Sequence, residues 1–123
     1  MTDLQTTRAR WLPALAALNG LLAGGVGAMA AHALTDPQAK AWATTAAAYQ
    51  LPHAVAVFAL LAWRDTRSVR GAAWALTLGT LLFGLSLDAL ALGAPRSLAM
   101  FAPVGGTLML GGWAWLVWVA ARY

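Results

Sequence analysis

Five side chains able to do chemistry lie within, or at the end of, long apolar segments: His32, Tyr49, His53, Ser86 and Asp88. Ionisable groups are uncommon in such surroundings, because a charge at the centre of a bilayer costs about 2.5–3.5 kcal/mol on insertion scales. Where such groups do occur within a membrane, they pair with one another, ligate a metal, line a path for protons or solutes, or contribute to helix packing. No nucleophile–base pair, paired carboxylates or phosphate-binding glycine loop accompanies them, so we predict no catalytic residue and no enzyme activity.

The composition requires a membrane around these residues. Of the 123 residues, 61% are hydrophobic and 10% are charged, with seven Trp and no Cys. Soluble domains carry about 25% charged residues, so this chain has too few to cover a surface facing water. Without Cys, disulfides, thiolate metal sites and thiol nucleophiles are excluded. The net charge of +4 does not indicate nucleic-acid binding, because the cations lie at the ends of apolar segments and form no polar face.

Four segments are long enough to cross a hydrocarbon core of about 30 Å as helices. They run over about 11–34, 42–63, 71–92 and 97–121. The segment 11–34 follows two arginines, as a signal peptide does, but its apolar part is too long for one and we expect a retained helix. The connections at 35–41, 64–70 and 93–96 are short, which favours antiparallel neighbours. The sequence therefore predicts one all-α domain, an integral membrane four-helix bundle.

The distribution of cations predicts the orientation, because Lys and Arg accumulate in cytoplasmic loops. Lys40 and Arg96 lie at one end of the predicted bundle. Six cations lie at the other end: Arg8, Arg10, Arg64, Arg67, Arg70 and Arg122. We therefore expect a multi-pass protein of the inner membrane with both termini in the cytoplasm.

The span boundaries also give the depth of each polar group, at 1.5 Å of rise per residue. His32 comes out roughly 14 Å outward of the membrane centre, Asp88 roughly 10 Å, Tyr49 about 5 Å and His53 near the centre. These offsets argue against a haem and against a shared metal site, so we predict no cofactor and no metal. A proton or solute path lined by Tyr49, His53 and Asp88 remains an alternative.

Individual packing roles can also be predicted for these groups. Tyr49 and His53 share a helix face at i,i+4 spacing. Pro52 removes an N–H and frees a carbonyl near residue 48, which Gln50, His53 or a water is expected to satisfy. Asp88 faces the bundle or a water-filled pocket, pairs with a cation such as Arg96, or stays protonated. We favour an inward Asp88 that hydrogen-bonds to Tyr49 or a His of a neighbouring helix.

Small residues predict where the helices pack closely, since lipid provides no hydrophobic drive for helix association. Gly20, Gly24 and Gly27 recur at spacings of four and three in the first span, and Gly105 and Gly106 lie in the fourth. We expect these glycines to form intramolecular packing grooves, with homodimerisation through the first as the alternative.

The sequence resembles the Domain of Unknown Function 423 family of small bacterial inner-membrane proteins. The matching segments are GVGAMAAHAL (25–34), YQLPHAVAV (49–57), LFGLSLDALAL (82–92) and PVGGTLMLGGW (103–113). By this resemblance nine residues fall on motif positions: Gly27, His32, Tyr49, His53, Ser86, Pro103, Gly105, Gly106 and Trp113. Asp88 departs from the pattern, since the family usually has Tyr there. The resemblance implies the topology and no established activity.

We therefore expect a non-enzymatic accessory or structural subunit that packs against itself or a larger membrane complex, with the lipid bilayer as its surroundings. The alternative is a small oligomeric transporter, or a proton or solute path, that uses the Tyr, His and Asp cluster in the outer half of the bundle. An enzyme acting on a lipid or quinone is the third interpretation.

Overall fold

The computed structural model describes residues 3–123, with side chains from Trp11 onward. Within this range the chain forms four long α-helices, one short 3₁₀ helix and no strand. The elements are α1 (Asp3–His32), α2 (Pro37–Trp63), α3 (Arg67–Ala91), the 3₁₀ helix (Arg96–Met100) and α4 (Phe101–Arg122). Each of the four long helices, the last together with the 3₁₀ helix before it, forms a segment long and apolar enough to cross a membrane. The prediction of an all-helical protein with four membrane-capable segments is confirmed.

Side-chain caps decide where two of the helices begin. The Asp36 carboxylate accepts a hydrogen bond from the Ala39 N–H at 2.9 Å, and Pro37 occupies the first helical turn, where a missing N–H breaks no helical hydrogen bond. This cap starts α2 at Pro37, so the predicted connection over 35–41 was too long. Thr66 caps α3 in the same way, its hydroxyl accepting from the Val69 N–H at 3.3 Å.

Helix α3 is the centre of the fold. Half of the residues in its most apolar stretch are buried. The corresponding share is 22% for α1 and for α2, and 28% for the segment that comprises the 3₁₀ helix and α4. It packs against each of the other three long helices. One apolar cluster of the core joins all four, with Leu12 of α1, Val57 of α2, Leu76 of α3 and Leu116 of α4.

The closest helix crossing lies between α3 and α4 and consists of backbone against backbone. A β-carbon built on Gly105 would lie 2.6 Å from the Gly79 carbonyl oxygen, and one on Gly79 would lie 2.8 Å from the Gly105 carbonyl oxygen. Close approach through paired glycines is typical of membrane helices. Gly105 thus serves helix packing, whereas Gly106, predicted to do the same, has nothing within 4 Å of its β-position.

The α1–α2 contact uses two of the three predicted glycines. The β-position of Gly20 is 3.8 Å from the Ala54 Cβ and that of Gly27 is 3.5 Å from the Ala47 Cβ, but nothing lies within 4 Å of Gly24. Gly24 therefore does not take part in packing within the bundle, contrary to the prediction. The buried line of α1 runs through Leu12, Ala16, Asn19, Ala23 and Ala30. At about 100° per residue, Gly20 and Gly27 flank that line and Gly24 lies beyond it, on the exposed side.

Candidate functional site

A chain of buried amides crosses the middle of the bundle and joins three helices. The Gln50 Nε2–H of α2 donates to the Asn19 Oδ1 of α1 at 3.4 Å, and the Asn19 Nδ2–H donates to the Thr77 carbonyl of α3, also at 3.4 Å. Gln50 is fully buried and Asn19 is 1% exposed. Such interhelical hydrogen bonds help to hold the helices together, because lipid provides no hydrophobic driving force for their association.

Gly84 makes room for this amide. A β-carbon on Gly84 would overlap the Gln50 side chain, with the Cδ, Nε2 and Cγ atoms as its nearest neighbours. The absence of a side chain at Gly84 therefore lets the Gln50 amide cross to α1. The Gln50 Oε1 and Thr77 Oγ1 atoms are buried and have no hydrogen-bond partner among the described residues.

Sequence reasoning missed most of this network. Gln50 is one of three groups, with His53 and a water, predicted to satisfy the carbonyl freed by Pro52, but its amide reaches Asn19 of α1 instead. Asn19 and Thr77 were not singled out, although an amide or hydroxyl near the middle of an apolar span is the available sign of an interhelical hydrogen bond.

Tyr49, His53 and Trp113 form a second polar group, on an exposed side of the bundle where side chains of α2 and α4 reach each other. The Trp113 Nε1–H donates to the His53 Nε2 at 3.1 Å, and the His53 Nδ1 lies 2.7 Å from the Tyr49 carbonyl oxygen. The Tyr49 ring stacks on the His53 ring, with centroids 6.3 Å apart, and meets Phe83 of α3 edge-on at 5.0 Å. Tyr49 itself is 47% exposed.

These contacts assign the protons of His53. An indole N–H can only donate and a carbonyl can only accept. The Nε2 atom therefore accepts from the Trp113 indole, and the Nδ1–H donates to the Tyr49 backbone carbonyl oxygen. His53 is neutral in this arrangement, with both ring nitrogens in hydrogen bonds. An imidazolium would have no lone pair for Trp113.

Asp88 lies apart from both groups. Its side chain is 6% exposed, and neither carboxylate oxygen has a hydrogen-bond partner among the described residues. It follows Gly84 by one helical turn and precedes Ala91, which packs with Ala30 of α1 and Ala43 of α2. Asp88 faces inward as predicted, but the predicted hydrogen bond to Tyr49 or a His is absent from the described part of the chain.

The other predicted members of the polar cluster do not meet. His32 is exposed at the end of α1, and the Ser86 hydroxyl donates to the Phe83 carbonyl of its own helix at 2.8 Å. Arg96 is exposed and forms no ion pair with Asp88 in the described residues. Gly93, at φ 100°, turns the chain between α3 and the 3₁₀ helix. Of the five candidates, the structure brings only Tyr49 and His53 together.

Comparison with known proteins supports the resemblance carried by these residues. The family model described as "Protein of unknown function (DUF423)" matches residues 26–106. This range includes Gln50, Gly84, His53 and Gly105. The chain belongs to the DUF423 family.

Several relatives resemble this DUF423 chain over most of their length. A UPF0382 membrane protein of Haemophilus influenzae is 40% identical over 104 residues, which cover 80% of this chain and 84% of the relative. The UPF0382 inner membrane protein YgdD of Escherichia coli K12 is 34% identical over 119 residues, covering 92% and 91%. A Staphylococcus epidermidis relative is 34% identical over 114 residues, covering 89% and 93%. No solved structure matches the chain.

Proposed function

We propose that this DUF423 protein is a non-enzymatic accessory or structural subunit of the bacterial inner membrane, which packs against a second copy or a larger membrane complex. The supporting observation is the separation of its polar groups. Asp88 is buried without a hydrogen-bond partner among the described residues. His53 accepts a hydrogen bond from Trp113, and the Gln50 amide donates to the Asn19 amide. Each group other than Asp88 bonds to a neighbouring helix, and the three groups share no hydrogen bond in the described part of the chain.

An exposed surface for a partner supports the same proposal. Gly24, Ala28 and Ala31 are exposed on α1 at spacings of four and three, so they lie on one side of the helix. Small residues in this spacing let a neighbouring helix approach closely in a membrane. A lipid-facing helix does not require them.

Antiparallel neighbours and cytoplasmic termini are part of the proposal. Gly20 lies near Ala54 and Gly27 near Ala47, so residue numbers rise along α1 as they fall along α2. The six-to-two distribution of cations supports cytoplasmic termini. The E. coli relative YgdD is described as an inner membrane protein, which supports the location.

Cysteine crosslinking in native membranes tests the proposal, and the absence of Cys from the chain makes single-Cys variants unambiguous. We expect Gly24→Cys to form a disulfide-linked dimer, or to co-purify with a larger partner in mild detergent. Val117→Cys is the control, because Val117 is exposed on α4, away from α1. A chain that is monomeric and unaccompanied in mild detergent, and that crosslinks no better at Gly24 than at Val117, contradicts the proposal.

One observation favours a second candidate, a proton or solute path. Asp88 is a buried carboxylate without a partner in the described residues, and intramembrane acids of this kind occur along proton paths. The test is proton flux into proteoliposomes loaded with a pH-sensitive dye. Flux that Asp88→Asn abolishes supports the path, and no flux above empty liposomes rules it out.

A further inference from the structure

A groove with a volume of about 420 Å³ lies between α3 and α4, at the end of the bundle where α3 begins. This volume is within the range of small-molecule sites. Its floor is the helix contact at Gly112, whose β-position is 3.2 Å from the Ala75 Cβ and 3.3 Å from the Ala72 carbonyl oxygen. The groove runs from Arg67 to Ala75 along α3, about 12 Å at 1.5 Å per residue.

Two glycines keep the groove open. Gly71 of α3 and Gly111 of α4 both line it, and nothing lies within 4 Å of the β-position of either. Neither has a positive φ angle, so the backbone does not require glycine there. Their lack of side chains leaves an apolar channel on the outside of the bundle, at membrane depth.

The end of the groove carries a cation and an indole. Arg67 is exposed and forms no ion pair with any residue in 11–123, the range with described side chains. The neighbouring arginines are engaged, since Arg64 lies over the Tyr123 ring at 4.1 Å and Arg122 over the Trp118 ring at 4.3 Å. The Trp115 Nε1–H donates to the Ser68 carbonyl at 3.0 Å, and its indole bounds one side of this end of the groove.

We propose that this groove binds one anionic glycerophospholipid, with an acyl chain over Gly71 and Gly111 and its phosphate at Arg67. Charge complementarity and depth both select this occupant. The apolar channel opens to the bilayer, its cationic end lies at headgroup level where indoles collect, and basic pockets between membrane helices bind anionic headgroups. In the orientation proposed above, this lipid belongs to the inner leaflet, but the site itself does not depend on that orientation.

Native mass spectrometry of the detergent-purified full chain, titrated with phosphatidylglycerol or phosphatidylcholine of identical tails, tests the site. We expect one retained phosphatidylglycerol per chain, in preference to phosphatidylcholine. Arg67→Gln should reduce that preference about fivefold, the effect of one cation near an anionic surface. Gly111→Leu should abolish retention of both lipids, because nothing lies within 4 Å of the Gly111 β-position and the leucine side chain extends from there into the groove.

Gly25→Leu is the matched control, since Gly25 is exposed on α1, also with nothing within 4 Å of its β-position. It should bind lipid as the wild type does. Equal retention of the two lipids by the wild type, or unchanged retention in Gly111→Leu, overturns the proposal. A loss of dimer mass in Gly111→Leu with no change in lipid retention also overturns it, because a second copy would then be the occupant.

Discussion

The Gln50 amide of α2 occupies the space beside Gly84 of α3 that a β-carbon would otherwise take. From there its Nε2–H donates to the side-chain Oδ1 of Asn19 in α1. The absence of a side chain at Gly84 thus allows three helices to share one hydrogen-bonded core.

Gly84→Ala should destabilise the bundle by about 1–3 kcal/mol, the usual cost of overpacking a core, because the new methyl group displaces Gln50. Thermal unfolding in detergent, followed by size-exclusion chromatography, measures the loss. Adding Gln50→Ala to this variant should recover part of the stability, since the clash is then removed. If Gly84→Ala is as stable as the wild type, Gln50 does not occupy this space.

Gly105→Ala and Gly106→Ala should differ sharply although they are adjacent. The β-carbon on Gly105 would lie 2.5 Å from the Phe83 nitrogen and 2.6 Å from the Gly79 carbonyl oxygen, and backbone atoms cannot move aside without separating α3 from α4. We expect a large drop in the melting temperature for Gly105→Ala and no drop for Gly106→Ala. Equal effects of the two variants would contradict the observed crossing.

Trp113→Phe should leave the His53 Nε2 without a donor and lower stability by about 0.6 kcal/mol, the average for interhelical hydrogen bonds in a membrane protein. Nitrogen-15 NMR of the histidines should show His53 as the neutral tautomer protonated at Nδ1 in the wild type. The spectrum is simple because the chain has two His. Trp118→Phe, which removes an indole of α4 outside this bond, should leave the His53 signals unchanged.

Asp88→Asn should raise the melting temperature. A buried carboxylate without a partner is unfavourable relative to a neutral group of the same shape, and neither Asp88 oxygen has a partner in the described residues. Asp65→Asn is the control, because the Asp65 carboxylate is exposed in the connection between α2 and α3, where it lies 2.8 Å from the Arg70 Nη1. A lower melting temperature for Asp88→Asn would mean that the carboxylate has a stabilising partner, such as a bound cation or a second subunit.

Reporter fusions test the proposed orientation. A cytoplasm-active reporter fused after Tyr123 should be active and a periplasm-active one silent, and fusions in the connection at residue 35 should give the opposite pattern. The physical reason is the accumulation of arginines at the end that carries Arg64, Arg67 and Arg122. A periplasm-active fusion at Tyr123 would invert the assignment.

The four membrane-capable helices follow from local sequence alone. Apolar runs of about 20 residues need no partner to select a bilayer and a helix, because lipid satisfies no backbone hydrogen bond. The caps at Asp36 and Thr66 are equally local, since each uses an N–H three residues along the chain.

Which side of each helix faces inward was decided only by the tertiary structure. The spans are apolar on all sides, so no polar face marks the outside as it does in a soluble bundle. Gly24 and Gly106 fit the predicted packing pattern but have nothing within 4 Å of their β-positions, whereas Gly79 and Gly84, which no spacing rule singled out, lie at the tightest contacts. These contacts join residues distant in sequence, so only the relative placement of whole helices determines them. The same placement leaves Asp88 without a hydrogen bond to Tyr49 or His53 in the described residues, although their depths are compatible with one shared path.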